Sequence, residues 1–178
     1  MSEDAGAPYP FPRDPALADV ADALLAAGHW ALIVDDRWTL VYVTDEARLT
    51  FGANIGLAPF AIGSHLFGEE AALVARDWRF GMNSTDLLRV FFAGVGAYVL
   101  ADTPGGRDSL RTAVDPSMSD LVDDIRPAEP AAIVFRGGGM GLDRAVDIAT
   151  VALRVRDASG RLAGTAIITK PPAGMALL

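Results

Sequence analysis

The spacing of apolar positions changes several times along this chain, and each change marks an element. From Asp14 the spacing is helical: Leu17, Val20, Ala21, Leu24 and Leu25 recur at i, i+3, i+4, i+7 and i+8 and so share one stripe. Asp14 offers a capping carboxylate, Pro15 suits the first helical position and Gly28 the C-terminal cap, so a helix is predicted over 15–27. The proline-punctuated residues 1–13, with Tyr9-Pro10-Phe11-Pro12 at their end, read as an extended arm pinned by its aromatics.

The next stretch switches to a strand period. Trp30–Val34 is β-rich, Asp35-Asp36-Arg37 reads as a turn, and in the run Trp38–Thr44 Leu40 and Tyr42 alternate with Val41 and Val43, which together predict a hairpin. A short helical turn follows from Asp45 to Gly52. The middle is helical again, with helices expected over 71–78, 85–99, 108–114 and from Pro116 to Ile125. In the longest of these, Gly94 and Gly96 predict the close approach of another element. Pro127 and Pro130 end the helical block. Strands are then predicted over 131–136, 145–156 and 162–169, with Gly137–Gly141 as a loop and Asp157–Gly160 as a turn. The fold class is therefore α+β: one antiparallel five-stranded sheet, built from a hairpin and a three-stranded meander, with an enlarged helical crossover packed on one face. The near-continuous apolar run Trp30–Val34 requires helices to cover that side.

Composition narrows the partners. The 178 residues make one domain, 14–172, after the arm. Fifteen Lys+Arg against twenty-three Asp+Glu give a net charge of −8, which repels phosphate backbones and anionic lipid and argues against nucleic acid and membrane surfaces as partners. The absence of cysteine removes disulfides, thiolate nucleophiles and Cys-based zinc sites. The N-terminal residues carry no basic, apolar secretory pattern, so a cytoplasmic protein is expected.

Several segments, taken in order, resemble a PAS domain. Trp30–Asp35 through Leu40–Val43 resembles the first PAS hairpin, and Thr44-Asp45-Glu46-Ala47 the start of its first short helix. Ile62-Gly63-Ser64-His65-Leu66-Phe67 resembles the segment that precedes the connecting helices, and Val151–Gly164, with its D-x-x-G-x-x-x-G turn, resembles the last hairpin. From Thr44 to Ala131 the helical block is longer than the family's. More narrowly, Tyr9–Pro12, Ala27–Trp30, Tyr42–Glu46, Asp102–Arg107 and Lys170–Met175 resemble the region N-terminal to the catalytic domain in actinobacterial class III adenylate/guanylate cyclase-like proteins. That resemblance implies a sensory or regulatory piece without the cyclase catalytic domain. It also implies a homodimer, a small-molecule ligand or a partner protein, and residues 173–178 as the start of a linker to a downstream cyclase domain. The stripe Leu17–Leu25 and the uncovered sheet face are the expected pairing surfaces.

Candidate chemistry is sparse. Trp38, Tyr42, Trp78, Phe80, Met82, Phe91, Phe92 and Phe135 are expected between sheet and helices, where they either fill the core or line a ligand cavity oriented by Asn83, Ser84 and Thr150. His65 is a candidate cavity residue or haem ligand, set against a structural histidine; no cofactor is identified. Ser64 and His65 are adjacent, and neighbours on a strand point apart, so they do not make a nucleophile–base pair. Asp120, Asp123 and Asp124 share a helical face that reads as solvated rather than metal-binding. Arg107 and Arg111 read as turn residues, with a partner or an anionic ligand as the other option. No carboxylate pair stands in a catalytic context, so the chain is expected not to be an enzyme.

Overall fold

A computed structural model of the chain describes residues 10–51, 60–76, 84–128, 130, 132–140 and 145–170. Tyr9 and the expected linker 173–178 lie outside the described residues.

Helix α1 (Pro15–Ala27) begins and ends where its caps require. The Asp14 carboxylate accepts the backbone N–H groups of Ala16 at 3.0 Å and Leu17 at 3.4 Å, and Gly28 closes the helix in the left-handed conformation. Strands β1 (Trp30–Asp35) and β2 (Leu40–Val43) form the antiparallel hairpin. Its turn is drawn together by one side chain: Asp35 Oδ1 accepts the N–H of Arg37 at 2.9 Å and of Thr39 at 2.8 Å. Trp38 therefore sits in the turn rather than opening the second strand, which starts two residues later than its apolar pattern predicts.

The crossover comprises α2 (Asp45–Phe51), α3 (Glu69–Ala75), α4 (Ser84–Asp102), α5 (Gly106–Ala113), a 3₁₀ turn at Pro116–Met118 and α6 (Ser119–Asp124). Strands β3 (Ala132–Met140), β4 (Ala145–Arg156) and β5 (Leu162–Lys170) complete one antiparallel sheet in the order β2-β1-β5-β4-β3. The expected loop over Gly137–Gly141 is a correction: Gly137, Gly138 and Gly139 stand in β3, paired with Ile148, Asp147 and Val146. The long β4 supplies partners as far as Met140–Ala145, and a glycine loses only side-chain packing, not its ladder bonds, in such a position.

The enlarged crossover packs on one face of the sheet, as expected, and α1 packs on the other. The inner face packs on the crossover, with Trp30, Val34, Leu40, Val43, Ala152 and Ile167 against Phe67, Phe92, Val95, Tyr98 and Val99. The outer face packs on α1, whose Leu17, Ala21 and Leu24 close over Ala31, Ile33, Tyr42, Val155, Ala163 and Ala166. The α1 stripe is thus consumed within the chain, and each buried leucine there contributes roughly 1.5–3 kcal/mol. Helix α4 lies close to β3, as its glycines predict. A Cβ on Gly94 would stand 2.5 Å from the Phe135 ring, and one on Gly96 2.6 Å from Ile125. Two arginines tie the block: Arg89 meets the Asp120 carboxylate in a two-pronged pair at 2.7 and 2.6 Å, and Arg107 caps the end of α6 through the carbonyls of Val122, Asp123 and Ile125.

Candidate functional site

Register defines what the inner face presents. Cross-strand partners share a face, so three rows run across the sheet. The first is Trp30, Thr169, Thr150 and Phe135; the second is Leu32, Ile167, Ala152 and Ile133; the third is Val34, Thr165 and Arg154. An apolar row therefore separates two rows that carry polar groups. In the first, the hydroxyls of Thr150 and Thr169 lie 3.2 Å apart and satisfy one another. In the third, Thr165 is 1% exposed and its hydroxyl has no hydrogen-bond partner among the described residues.

Beside Thr165 stands a buried ion pair. Arg154 donates Nη2 to Asp102 Oδ1 at 2.7 Å and Nη1 to Oδ2, and both side chains are 7% exposed. The guanidinium lies over the Tyr98 ring at 4.3 Å, a cation–π contact. Tyr98 in turn donates its hydroxyl to the Pro130 carbonyl at 2.6 Å, and burial pushes its pKa up, so it remains a donor. The Trp38 indole Nε1–H completes the set with a 2.9 Å bond to Asp102 Oδ2. Each charge is paired and hydrogen-bonded, which a buried charge requires.

The sequence-predicted residues separate into three groups. Trp38, Phe91 and Phe135 lie on the inner side: Phe91 meets Phe135 edge-on at 5.8 Å, Trp38 lies 6.0 Å from Phe67, and Phe67 meets Phe92 edge-on at 5.1 Å. Tyr42 also lies between sheet and helix, but on the other face, against α1. It pairs with Ile33, faces α1 and packs 5.2 Å from Phe11, because the irregular register after Ile33 sets Leu40 and Val43 inward and Tyr42 outward. Trp78, Phe80, Met82 and Asn83 lie outside the described residues, as does the side chain of Ser84.

His65 belongs to a segment that runs along the free edge of β2. Ser64 O accepts Leu40 N–H at 2.9 Å, Leu40 O accepts Gly63 N–H at 2.8 Å and Trp38 O accepts Leu66 N–H at 2.8 Å. The imidazole turns towards Phe67, whose N–H donates to Nδ1 at 3.3 Å. Burial lowers the His65 pKa, with Asp35 opposing, so the neutral ring is favoured. Ser64 instead donates to Glu70, so the two neighbours address different partners.

Asp120 is held by Arg89 and Asp123 by Arg111. Arg111 also pairs with Asp108, and Arg107 is engaged by backbone carbonyls, so both arginines meet internal partners. Among the described residues no three His, Asp or Glu side chains gather as metal ligands, and no helix is long and apolar enough to cross a membrane.

Asp102, Arg154, Thr165 and Thr169 were not singled out by the sequence pattern. A signal exists: Arg154 interrupts the apolar run of β4 at an inward position, and Thr165, Ile167 and Thr169 follow the strand period on one face.

No protein-family model matches the chain, and no curated protein matches its sequence. Among solved structures the chain is similar to the PAS domain of BvgS from Bordetella pertussis, at 11% identity and a TM-score of 0.49, over 88% of this chain and 85% of that one. At that level the likeness is one of outline. The topology is that of a hairpin, a helical crossover and a three-stranded meander that returns β5 to the centre of the sheet.

Proposed function

We propose that this chain is a sensory, non-catalytic PAS-like domain of a signalling protein, which takes a small molecule against the inner face of its sheet and biases a catalytic domain downstream. The observation that carries the reading is the Thr165 hydroxyl, buried on the inner face beside the Arg154–Asp102 pair and without a partner among the described residues. A hydroxyl taken out of water without a bond costs about 1–3 kcal/mol, and a bound molecule with a hydrogen-bonding group would recover it. The topology suits transmission, because β5 pairs with both β1 and β4 and carries Thr165, Ile167 and Thr169 inward. A ligand on that row would act on the central strand and so on whatever follows Lys170, as a shift between two populations. The resemblance of Lys170–Met175 and Asp102–Arg107 to cyclase-associated regions makes a class III nucleotide cyclase the proposed effector. Native followed by denaturing mass spectrometry tests the reading. Excess native mass that disappears on denaturation is expected; a native mass equal to that of the bare chain, monomeric or dimeric, in protein purified without dialysis would contradict it.

A second reading, a ligand-free dimerisation module, is favoured by one feature. Helix α1 packs on the outer face over β1 and β5, and among the described residues Val134 of β3 is 70% and Leu153 of β4 38% exposed. Pairing through that patch would bury it, in place of the α1 stripe already spent inside the chain. Val134→Asp should then halve the sedimentation mass; an unchanged mass would remove this surface from consideration.

A further inference from the structure

Among the described residues, Trp38 is the only one other than glycine with a positive φ, at 62°. A bulky aromatic rarely adopts that conformation, and it persists only where its surroundings enforce it. Three bonds do so here. The Trp38 N–H donates to Asp35 O at 3.1 Å, its carbonyl accepts Leu66 N–H at 2.8 Å, and its indole N–H donates to Asp102 Oδ2 at 2.9 Å. The first two are local to the turn and the β2 edge. The third reaches 64 residues along the chain to the last residue of α4.

We infer that Asp102 is the pivot of a conformational latch, by which the end of α4 holds the β1–β2 turn in its strained form and keeps the Gly63–Leu66 segment closed on the edge of β2. Asp102 faces two ways. One side grips Arg154 of β4, and the same Oδ2 that takes part in that pair also takes the indole N–H. A shift of α4 relative to β4 therefore loosens Trp38 along with the ion pair. Once the indole is free, Trp38 loses its tie to α4, and its backbone bonds to Asp35 and Leu66 and its packing near Phe67 must hold the positive φ without it. Relaxation to negative φ turns the Trp38 carbonyl away from Leu66, and the bonds that tie Gly63 and Ser64 to Leu40 lose their neighbour. The open form exposes the hydrogen-bonding edge of β2 and the flank of His65, which lies opposite Thr39 in this segment. The latch is a property of these contacts and does not depend on whether a ligand binds the inner face.

Amide hydrogen exchange of the whole chain, read residue by residue by NMR, tests it. Trp38→Phe keeps an aromatic ring in the core and removes the indole N–H together with part of the buried ring volume, whose loss acts on the whole fold rather than on the β2 edge. The expected result is exchange about tenfold or more faster at Leu40, Gly63 and Leu66, beyond any common change in the amides of the β4–β5 ladder. Asp102→Asn removes the charge that holds Arg154 and should show the same faster exchange at those three amides on top of a general loss of stability from the unpaired guanidinium. Unchanged rates at those three amides in the Trp38→Phe protein would overturn the latch. So would acceleration of all sheet amides by one common factor, which is the signature of a contact that merely stabilises the fold.

Discussion

On its inner face the sheet meets the crossover with large aromatics, three threonines and one buried ion pair. On its outer face it meets α1 through an apolar cluster centred on Leu17, Ala21 and Leu24, and among the described residues Val134 of β3 and Leu153 of β4 are exposed. Apolar packing such as that of α1 is tolerant: it asks for volume and accepts many shapes. A buried ion pair is not tolerant, because each charge must be answered, and a buried hydroxyl without a partner among the described residues carries a cost until one is supplied. The contrast locates specific chemistry on one side of the sheet and plain adhesion on the other.

Removing Arg154 should have the largest effect on stability. Arg154→Ala leaves Asp102 buried without its cation and Tyr98 without its stacking partner, and a loss of about 3–5 kcal/mol is expected in urea denaturation. A loss no larger than that of an exposed pair would mean that water reaches the site and that the inner face is less specialised than its geometry implies. On the outer face, Leu17→Ala should cost about 2–5 kcal/mol through a cavity under α1, without the selective change at the β2 edge expected of Asp102→Asn.

A smaller effect follows from His65. Its folded pKa lies below the unfolded value, so the unfolded chain binds the proton more readily. Stability contributed by the neutral ring is therefore full above the unfolded pKa of about 6.5 and declines as pH falls below it, towards the folded value. Thermal midpoints between pH 8 and pH 5 should fall less steeply in His65→Gln than in the parent; equal slopes would show that other groups carry the dependence. The smallest effect belongs to the exposed part of the outer face, where Val134→Ser should change stability by no more than about 0.5 kcal/mol.

Much of this contrast can be read from strand patterning. In β1, from Trp30 to Val34, residues of both parities are buried, and a strand buried on both faces must be covered on both. In β3, Ile133 and Phe135 pack inward and alternate with the exposed Ala132, Val134 and Arg136, the pattern of a strand with one covered face among the described residues. The same logic places α1 against the outer face, since the inner side is already taken by α4. What patterning does not carry is the pairing of residues far apart. Asp102 reads locally as the start of a turn, and Arg154 as one charge in a strand; only the fold brings α4 and β4 together. The outward turn of Tyr42 depends on an irregular register that leaves no mark in composition, and Gly137–Gly139 read as a loop because glycine in a strand is recognisable only once its partner strand is known.

The most direct test of the inner face as a sensing surface is the native mass of the parent and of Thr165→Val, expressed and purified side by side. Valine matches threonine in shape and removes only the hydroxyl. If that hydroxyl addresses a ligand, the parent should carry an excess mass that the variant has lost or holds at reduced occupancy. If neither protein carries a second mass and the variant is simply more stable, by about 1–3 kcal/mol, the hydroxyl is an unanswered group in a filled core, and the sensing account is contradicted.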